Sequence, residues 1–489
     1  MRWIDPHPPR ARLPETGTLT GALTGTKTGT LPRPSTATFT GTLARALTGM
    51  FGTVALVSCA SLTGCGTARE QSAPERTAAS TAAVSAQTPP ASVLDAGSPD
   101  GGEETEPLDA GDPDSTAPPP EPEKKREGEL AHFYTALDGL TKGTRKDHVR
   151  VLWLGDSHGQ ADFWTGRVRT LLQKRFGNAG PGFVHIAYKG YRHDGVDLSQ
   201  KDKWTVTPKN PAASAKVADG IFGLGGLLTT PTDPGSNAGV ELRDATLTGT
   251  LHFDVCYRMN KPGDAVEIAL GSKKPVTLKN SAKKGDPSPL LHWTTTIPAE
   301  KGLKLTVSPA AGYPSFCGVV IESDPTTNAG VVLDALGING ARYTTALGWA
   351  EEPWLAEFMR RSPDLVIFEY GTNESGDVGI KEETYEDRVT RLVTRIRTKK
   401  PDTDCVVLAP TERSDQEERS ARIRNIFQVA ARKNGCWFWD TIDAMGGKGS
   451  MRKWQSENPV KGAKDGVHLT VKGYQFLGDK LAEDLLRKY

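Results

Sequence analysis

The sequence predicts an α/β fold: a three-layer α/β/α sandwich around a parallel five-stranded sheet, interrupted by an inserted antiparallel β-sandwich. Five short apolar runs are continuous rather than alternating, which is typical of strands that are buried on both faces. Helical patterns separate most of these runs, as expected for parallel strands joined by crossover helices. A long interval of short strand-like runs lies between the first two apolar runs and predicts the insert.

The elements of the parallel sheet follow one another along the chain. The first strand is predicted at residues 149–154, and a helical pattern begins after the next turn and continues to residue 176. The other four strands are predicted at 331–336, 364–369, 405–409 and 436–439. Helices are predicted at 382–399, 415–433 and 470–488, each with the apolar spacing of a helix that covers a sheet.

The interval of about residues 200–328 follows a different pattern. Its strand-like runs are short and are separated by Gly, Pro, Asn and Lys: 239–257, 265–270, 276–279, 291–297, 303–308 and 317–322. This pattern favours an antiparallel sandwich, and the interval is too long for a loop. Five aromatic residues within it could stack on sugar rings or could form the core of the sandwich: Trp204, Tyr257, Trp293, Tyr313 and Phe316.

The N-terminal quarter of the chain predicts no packed structure. Up to about residue 126 it is dominated by Thr, Gly, Ala, Pro and Ser, which bury too little apolar surface to offset the entropy cost of ordering. Residues 66–128 are therefore predicted to form a disordered Pro-, Ala- and acid-rich tether. The formal net charge of the whole chain is +1, which argues against electrostatic binding of nucleic acid or of an acidic membrane surface.

Residues 1–65 carry the features of an export signal. An apolar stretch at 46–61 follows Arg45 and is too short for a membrane-spanning helix. Leu62-Thr63-Gly64-Cys65 comes directly after it and resembles the lipobox of bacterial lipoproteins. The resemblance implies that Cys65 becomes a lipidated first residue, which would place the protein in the bacterial cell envelope, on the periplasmic or extracellular face, with the lipid as its only membrane contact. The alternative is a chance tetrapeptide in a Thr- and Gly-rich segment.

Six cysteines occur, and none of them forms a C-x-x-C pair or lies near a His cluster. This spacing argues against a zinc site. In an exported protein Cys256 and Cys317 could form a disulfide, but buried free thiols at Cys256, Cys317, Cys405 and Cys436 fit the sequence equally well.

Three short polar motifs lie at or soon after the carboxyl ends of predicted strands, which is where ligands bind in parallel sheets. Ser157 follows the first strand at the turn into a helix, a position that exposes a hydroxyl nucleophile beside backbone N–H groups. Asn373 follows the third strand and brings a side-chain amide to the same edge. Asp465 and His468 precede the last helix, at a spacing that lets the carboxylate orient the imidazole.

The three motifs, G-D-S at 155–157, G-x-N at 371–373 and D-x-x-H at 465–468, resemble blocks I, III and V of the SGNH (GDSL-type) hydrolases. Block II is matched best by the glycine of Ile338-Asn339-Gly340-Ala341, with Gly337 as the less favoured choice. The resemblance covers about residues 147–195 and 330–489 and implies a flavodoxin-like SGNH fold that needs no metal or cofactor. It assigns Ser157 as the nucleophile, His468 as the general base and Asp465 as its partner.

In the same resemblance the oxyanion hole consists of the Ser157 and Gly340 backbone N–H groups and the Asn373 amide. Two positions depart from the usual motifs: His158 replaces a Leu, and Glu374 replaces an Asp. His158 is expected to pack near the site or cap the helix, with a role as second base as the alternative. The G-D-S-H form with a large insert is similar to the peptidoglycan O-acetylesterase branch, which implies a deacetylase acting on an acetylated glycan.

Other functions remain open. A lipase, a small-ester hydrolase or an acetyltransferase could use the same residues. A non-catalytic glycan-binding lipoprotein is disfavoured, because it would be expected to lack at least one of Ser157, Asn373, Asp465 or His468, and all four are present. Partner proteins cannot be inferred.

Overall fold

The computed structural model describes residues 128–216, 219–379 and 381–489. The predicted signal peptide with Cys65, and all but the last residue of the predicted tether, lie outside the described residues.

The described part of the chain contains sixteen strands and ten α-helices. The strands are β1 (Val149–Gly155), β2 (Gly182–Val184), β3 (Val196–Lys201), β4 (Trp204–Thr207), β5 (Leu228–Pro231), β6 (Asn237–Leu242), β7 (Thr250–Arg258), β8 (Ala265–Leu270), β9 (Val276–Lys279), β10 (Leu290–Pro298), β11 (Lys304–Ala311), β12 (Ser315–Ser323), β13 (Val331–Gly337), β14 (Leu365–Glu369), β15 (Asp404–Leu408) and β16 (Trp437–Trp439). The helices are α1 (Ala131–Thr141), α2 (Ser157–Gln160), α3 (Trp164–Phe176), α4 (Tyr343–Leu347), α5 (Glu351–Arg361), α6 (Glu382–Lys399), α7 (Glu417–Lys433), α8 (Thr441–Met445), α9 (Ser450–Ser456) and α10 (Val471–Lys488).

The predicted fold class is confirmed by a parallel sheet with the strand order β13-β1-β14-β15-β16. Alternate residues of its strands pack into two different apolar cores, one on each face of the sheet. Leu152 and Leu154 of β1 pack on one face with α5, α6 and α7. Val151 and Trp153 pack on the other face with α1, α3 and α10. Because every residue of β1 is buried, its sequence is continuously apolar apart from Arg150 and Gly155.

Two antiparallel sheets run from β2 to β12. One has the order β10-β7-β12-β5-β4, with β2 paired to β12, and the other has the order β3-β6-β11-β8-β9. A separate apolar core includes Val240, Phe253, Ile268, Val307 and Val319 from the strands of both sheets. The antiparallel strands therefore begin at Gly182, earlier than residue 200. The assignment of 200–328 as an inserted domain stays a prediction.

Two disulfides cross-link the strands, so the free-thiol alternative does not hold in this structure. Cys256 of β7 is bonded to Cys317 of β12, and Cys405 of β15 is bonded to Cys436, which directly precedes β16. The second bridge has no counterpart in the sequence analysis.

Among the described residues, no helix has both the length and the apolar character needed to span a membrane.

Candidate active site

The site begins where β1 ends. Gly155 lies opposite Gly337 of β13 and Glu369 of β14, so the loops after all three strands leave the sheet at one edge. Ser157 is the first residue of α2, and the Asp156 carboxylate caps this turn by accepting the His158 N–H at 2.9 Å. The predicted helix to residue 176 is broken after α2, where Asp162 adopts φ 54°, and continues as α3.

Ser157, His468 and Asp465 form one hydrogen-bonded chain. The Ser157 Oγ lies 2.9 Å from His468 Nε2, and His468 Nδ1 lies 2.8 Å from Asp465 Oδ2. Asp465 Oδ1 also accepts the backbone N–H of His468 at 2.9 Å, which fixes the carboxylate beneath its own turn. Gly466 has φ +71°, and a Cβ there would lie 2.0 Å from Ser414 Oγ, so this turn requires glycine.

The pKa shifts of Asp465 and His468 suit a histidine that acts as a general base. The hydrogen bond from His468 is the main reason that the pKa of Asp465 lies well below its usual value. Burial by itself lowers the pKa of His468, but the hydrogen bond and the charge of Asp465 raise it more, so the pKa lies above 6.5. Asp465 is therefore ionised, and it favours the imidazolium that forms when His468 accepts the serine proton.

Gly340 and Asn373 lie on the two loops that follow β13 and β14. Gly340 has φ +80°, and its N–H has no hydrogen-bond acceptor among the described residues. At Gly337, in contrast, a Cβ would lie 2.3 Å from the Gln160 N, so that glycine allows β13 to pack on α2. The Asn373 amide donates to Asp156 Oδ2 at 3.1 Å and to the Ala341 carbonyl at 3.0 Å. To bind an oxyanion, the amide would have to share one of these hydrogens.

Two side chains that the sequence analysis missed hold these loops. Arg342 donates to the carbonyls of Gly340 and Asn373, each at 3.1 Å, and thereby ties the two loops together. Gln160 accepts the Asn339 N–H and donates to the Gly190 carbonyl at 3.2 Å. Their partners are distant in sequence, and no local motif marks either residue.

The two departures from the usual motifs are both buried. His158 Nδ1 contacts Tyr474 Oη, and Nε2 contacts Thr411 Oγ1, each at 3.0 Å. Burial holds the pKa of His158 well below its usual value, so it packs beside His468 as a neutral ring. Glu374 accepts the N–H groups of Tyr343 at 3.0 Å and Gly371 at 2.9 Å, and burial raises its pKa to about 7.

The five aromatic residues of the antiparallel region that could stack on sugar rings differ in how far they are buried. Tyr257 and Phe316 are buried, and Trp204 packs on Phe316 with ring centroids 5.9 Å apart. Trp293 is partly buried against the same core, whereas Tyr313 is 45% exposed.

One cluster in the described residues has metal-ligand geometry: Cys256, His292 and Glu357. Cys256 cannot supply a thiolate there, since its sulfur is bonded to Cys317.

Comparison with known proteins identifies a related domain. Residues 299–476 match the model of the GDSL-like Lipase/Acylhydrolase family. The matched segment contains Gly340, Asn373, Asp465 and His468, but it begins well after Ser157. The antiparallel strands β2–β12 lie between Ser157 and Gly340 in the sequence, and the parallel sheet brings the two loops to one edge.

A solved structure of a peptidoglycan O-acetylesterase is 25% identical to the chain. The alignment covers 73% of this chain and 95% of that one, with a TM-score of 0.60. An acetyl xylan esterase has 17% identity over 33% of this chain and 83% of its own, with a TM-score of 0.26. A family two carbohydrate esterase from Clostridium thermocellum has 10% identity over 60% of this chain and 98% of its own, with a TM-score of 0.27. No curated protein matches the chain. The domain match and the likeness to the peptidoglycan O-acetylesterase support hydrolase activity.

Proposed function

We propose that the protein is a serine esterase that removes O-acetyl groups from a cell-envelope or extracellular polysaccharide, with peptidoglycan as the expected substrate. The observation that carries the proposal is the hydrogen-bonded chain of Ser157, His468 and Asp465, with separations of 2.9 and 2.8 Å. This chain lies at the edge of the sheet that also carries Gly340 and Asn373.

In the proposed reaction, the Ser157 hydroxyl attacks the acetyl carbonyl while His468 Nε2 accepts its proton. The Ser157 and Gly340 N–H groups and the Asn373 amide stabilise the oxyanion, each such donor contributing about 10²–10³ in rate. The intermediate then collapses as its bond to the sugar oxygen breaks, and His468 donates the proton to that oxygen, so the sugar leaves with a free hydroxyl. Water attacks the acetyl-enzyme with His468 again as base, which releases acetate and restores Ser157.

The choice of substrate rests on the likeness to a peptidoglycan O-acetylesterase and on the G-D-S-H form of the nucleophile motif. The lipobox-like tetrapeptide at Cys65 supports it independently, because an envelope protein meets cell-wall glycan.

The test compares the full-length chain with Ser157→Ala. Acetate release is measured from p-nitrophenyl acetate and from O-acetylated peptidoglycan. We expect the alanine variant to lose essentially all turnover, a loss that can reach about 10⁶ in kcat. Ser199→Ala is the matched control, because Ser199 is an exposed serine on β3 and should be replaceable without loss.

The two substrates separate the parts of the proposal. Ser157-dependent activity that is much higher on peptidoglycan supports the deacetylase. Activity on the small ester alone keeps the esterase and rejects the glycan. No Ser157-dependent release from either substrate rejects the hydrolase, and glycan binding or acetyl transfer would then be measured.

A further inference from the structure

Two buried acidic side chains lie against the nucleophile turn and take no direct part in the proposed reaction. Asp156 is 0% exposed and Glu369 is 4% exposed. Glu369 is the last residue of β14, and the strand register places it beside Gly155, the last residue of β1. An acid at the end of an otherwise apolar strand is the only sign of this arrangement in the sequence.

Glu369 Oε2 accepts the backbone N–H of Asp156 at 3.1 Å, and a Cβ at Gly159, on the other side of Ser157, would lie 3.0 Å from the same oxygen. The Glu369 carboxyl group is therefore packed against the turn that carries the Asp156 carboxyl group, and both side chains are buried. Two carboxylate charges this close inside the protein would repel each other strongly, so one of the two groups holds a proton. A protonated carboxyl group can donate a hydrogen bond to an ionised neighbour, which has no hydrogen of its own to donate.

The surroundings decide which of the two groups holds the proton. Asp156 accepts the His158 N–H at 2.9 Å and the Asn373 amide at 3.1 Å, and the charge of Arg342 favours its ionised form. Glu369 accepts the Asp156 N–H at 3.1 Å, and the charge of Asp156 disfavours its ionised form. Burial raises the pKa of Asp156 to about 6, and burial together with the charge of Asp156 raises the pKa of Glu369 well above its usual value.

We propose that Glu369 is a positioning residue: its protonated carboxyl group donates to the Asp156 carboxylate, and this bond fixes the Ser157 turn and the Asn373 amide for catalysis. The kinetic consequence rests on the proposed esterase function, whereas the shared proton does not. Glutamine has the same shape, accepts the same Asp156 backbone N–H and donates to the Asp156 carboxylate through its amide. Glu369→Gln therefore preserves the bond and removes only the ability to ionise.

Other titratable groups face the Asp156–Glu369 pair, and their effects on the pH dependence of activity must be distinguished from that of Glu369. They are His158, Arg342, Tyr343, Tyr370, Glu374, His468 and Tyr474. Burial raises the pKa of the three tyrosines and lowers that of His158, so these four stay neutral near pH 7. The pKa of His468 is raised and that of Glu374 is about 7, and both side chains are retained in Glu369→Gln, so their contributions to the pH profile are common to the two proteins.

The first measurement needs no substrate. Infrared difference spectra compare the full-length wild type with Glu369→Gln at pH 7, in the region of the protonated carboxyl C=O stretch. We expect a band that is present in the wild type and absent in the variant. Asp254→Asn is the matched control: burial acts to raise the pKa of Asp254, but hydrogen bonds from His292 at 2.8 Å and Arg360 at 2.6 Å hold it below its usual value, so this acid is expected to give no such band. The absence of a band difference for Glu369→Gln would overturn the proposal.

The second measurement follows kcat and KM for p-nitrophenyl acetate across pH. Glu369→Gln should stay within about threefold of the wild-type kcat, because both hydrogen bonds are kept. It should also lose the part of the alkaline fall in kcat that comes from ionisation of Glu369. Glu369→Ala should lose about tenfold to a hundredfold in kcat with KM unchanged, since an oxyanion donor and the nucleophile turn are loosened together.

Equal impairment of the Gln and Ala variants would overturn the positioning role. If the wild type shows no Ser157-dependent turnover, the esterase proposal fails, and the infrared band still decides whether the pair shares a proton.

Discussion

At the scale of single residues, His468 decides the pH at which the site can work. Its Nε2 faces the Ser157 hydroxyl at 2.9 Å, and only the neutral imidazole can accept the serine proton. Because Asp465 raises the pKa of His468 above 6.5, a larger fraction of the enzyme is inactive at mildly acidic pH than an unpaired histidine would give. Protonation of His468 therefore removes activity as the pH falls through the raised pKa, and above that pKa activity is full until Glu369 ionises at alkaline pH.

We therefore expect kcat/KM for p-nitrophenyl acetate to rise with pH to a plateau, with a midpoint above 6.5. Asp465→Asn removes the charge that raises this pKa, so the midpoint should move down, and kcat should fall by about 10⁴ because the imidazole loses its tautomer partner. Profiles of kcat/KM measured from pH 5 to pH 9 test both effects. A midpoint that does not move in Asp465→Asn would show that Asp465 does not control His468.

Some residues of the candidate site could be predicted from short sequence motifs, whereas others depend on partners that are distant in sequence. Ser157, Asn373, Asp465 and His468 are visible in the sequence because each belongs to a short motif beside a strand end. Gln160 was not predicted, since its acceptor role depends on Asn339, which lies 179 residues away. Contacts over such distances exist only once the sheet has aligned its strand ends, and a single sequence carries no record of them.

At the scale of elements, the strands of the parallel sheet and its longest helices were predicted, whereas helices α1 and α5, of 11 residues each, and several exposed strands were not. Helices α6 and α10 match their predicted bounds almost residue for residue, because their apolar faces are wide and continuous. The predicted strand run 239–257 was wrong as a single element: it divides into β6 and β7, and Gly249 has φ +77° between them. Strand β3 was missed because only Val196 is buried, so its pairing with β6 comes from the partner strand rather than from its own pattern.

The disulfide between Cys405 and Cys436 cross-links two neighbouring elements, because it joins the starts of strands β15 and β16. It closes a loop of 31 residues, and the loss of such a cross-link costs about 2–4 kcal/mol in the free energy of unfolding. We expect the double variant Cys405→Ala/Cys436→Ala to be destabilised by that amount in urea unfolding under oxidising conditions.

The Cys256–Cys317 pair is the matched comparison for this prediction. Its loop of 61 residues is about twice as long, and chain entropy gives it about 0.6 kcal/mol more stabilisation. Addition of a reductant to the wild type should reproduce both losses together. Wild-type stability that does not respond to the reductant would mean that the bridges do not stabilise the fold.

At the scale of the whole molecule, the strand order explains how a long interruption leaves the site intact. β1 lies between β13 and β14, although β2–β12 separate it from both in the sequence. The chain leaves the parallel sheet after α3 and returns at β13, so the antiparallel strands do not enter the sheet that aligns Ser157 with Gly340 and Asn373. The family match begins at residue 299, between β10 and β11, and therefore omits the nucleophile, which precedes the antiparallel strands.

The predicted location in the cell envelope rests on Cys65, which lies outside the described residues. We propose that Cys65 carries the diacylglycerol of a lipoprotein, because an apolar stretch and Leu62-Thr63-Gly64 precede it. Two acyl chains give stable membrane anchoring, with each buried CH₂ contributing about 0.8 kcal/mol. In a bacterial host, the wild-type chain should sediment with membranes, and its N-terminal peptide should carry the mass of the lipid on Cys65. Cys65→Ala should abolish both properties, whereas Cys59→Ala, which changes a cysteine outside the tetrapeptide, should retain them. A Cys65→Ala protein that still sediments with membranes would reject the lipid anchor, and the envelope location would then need another cause.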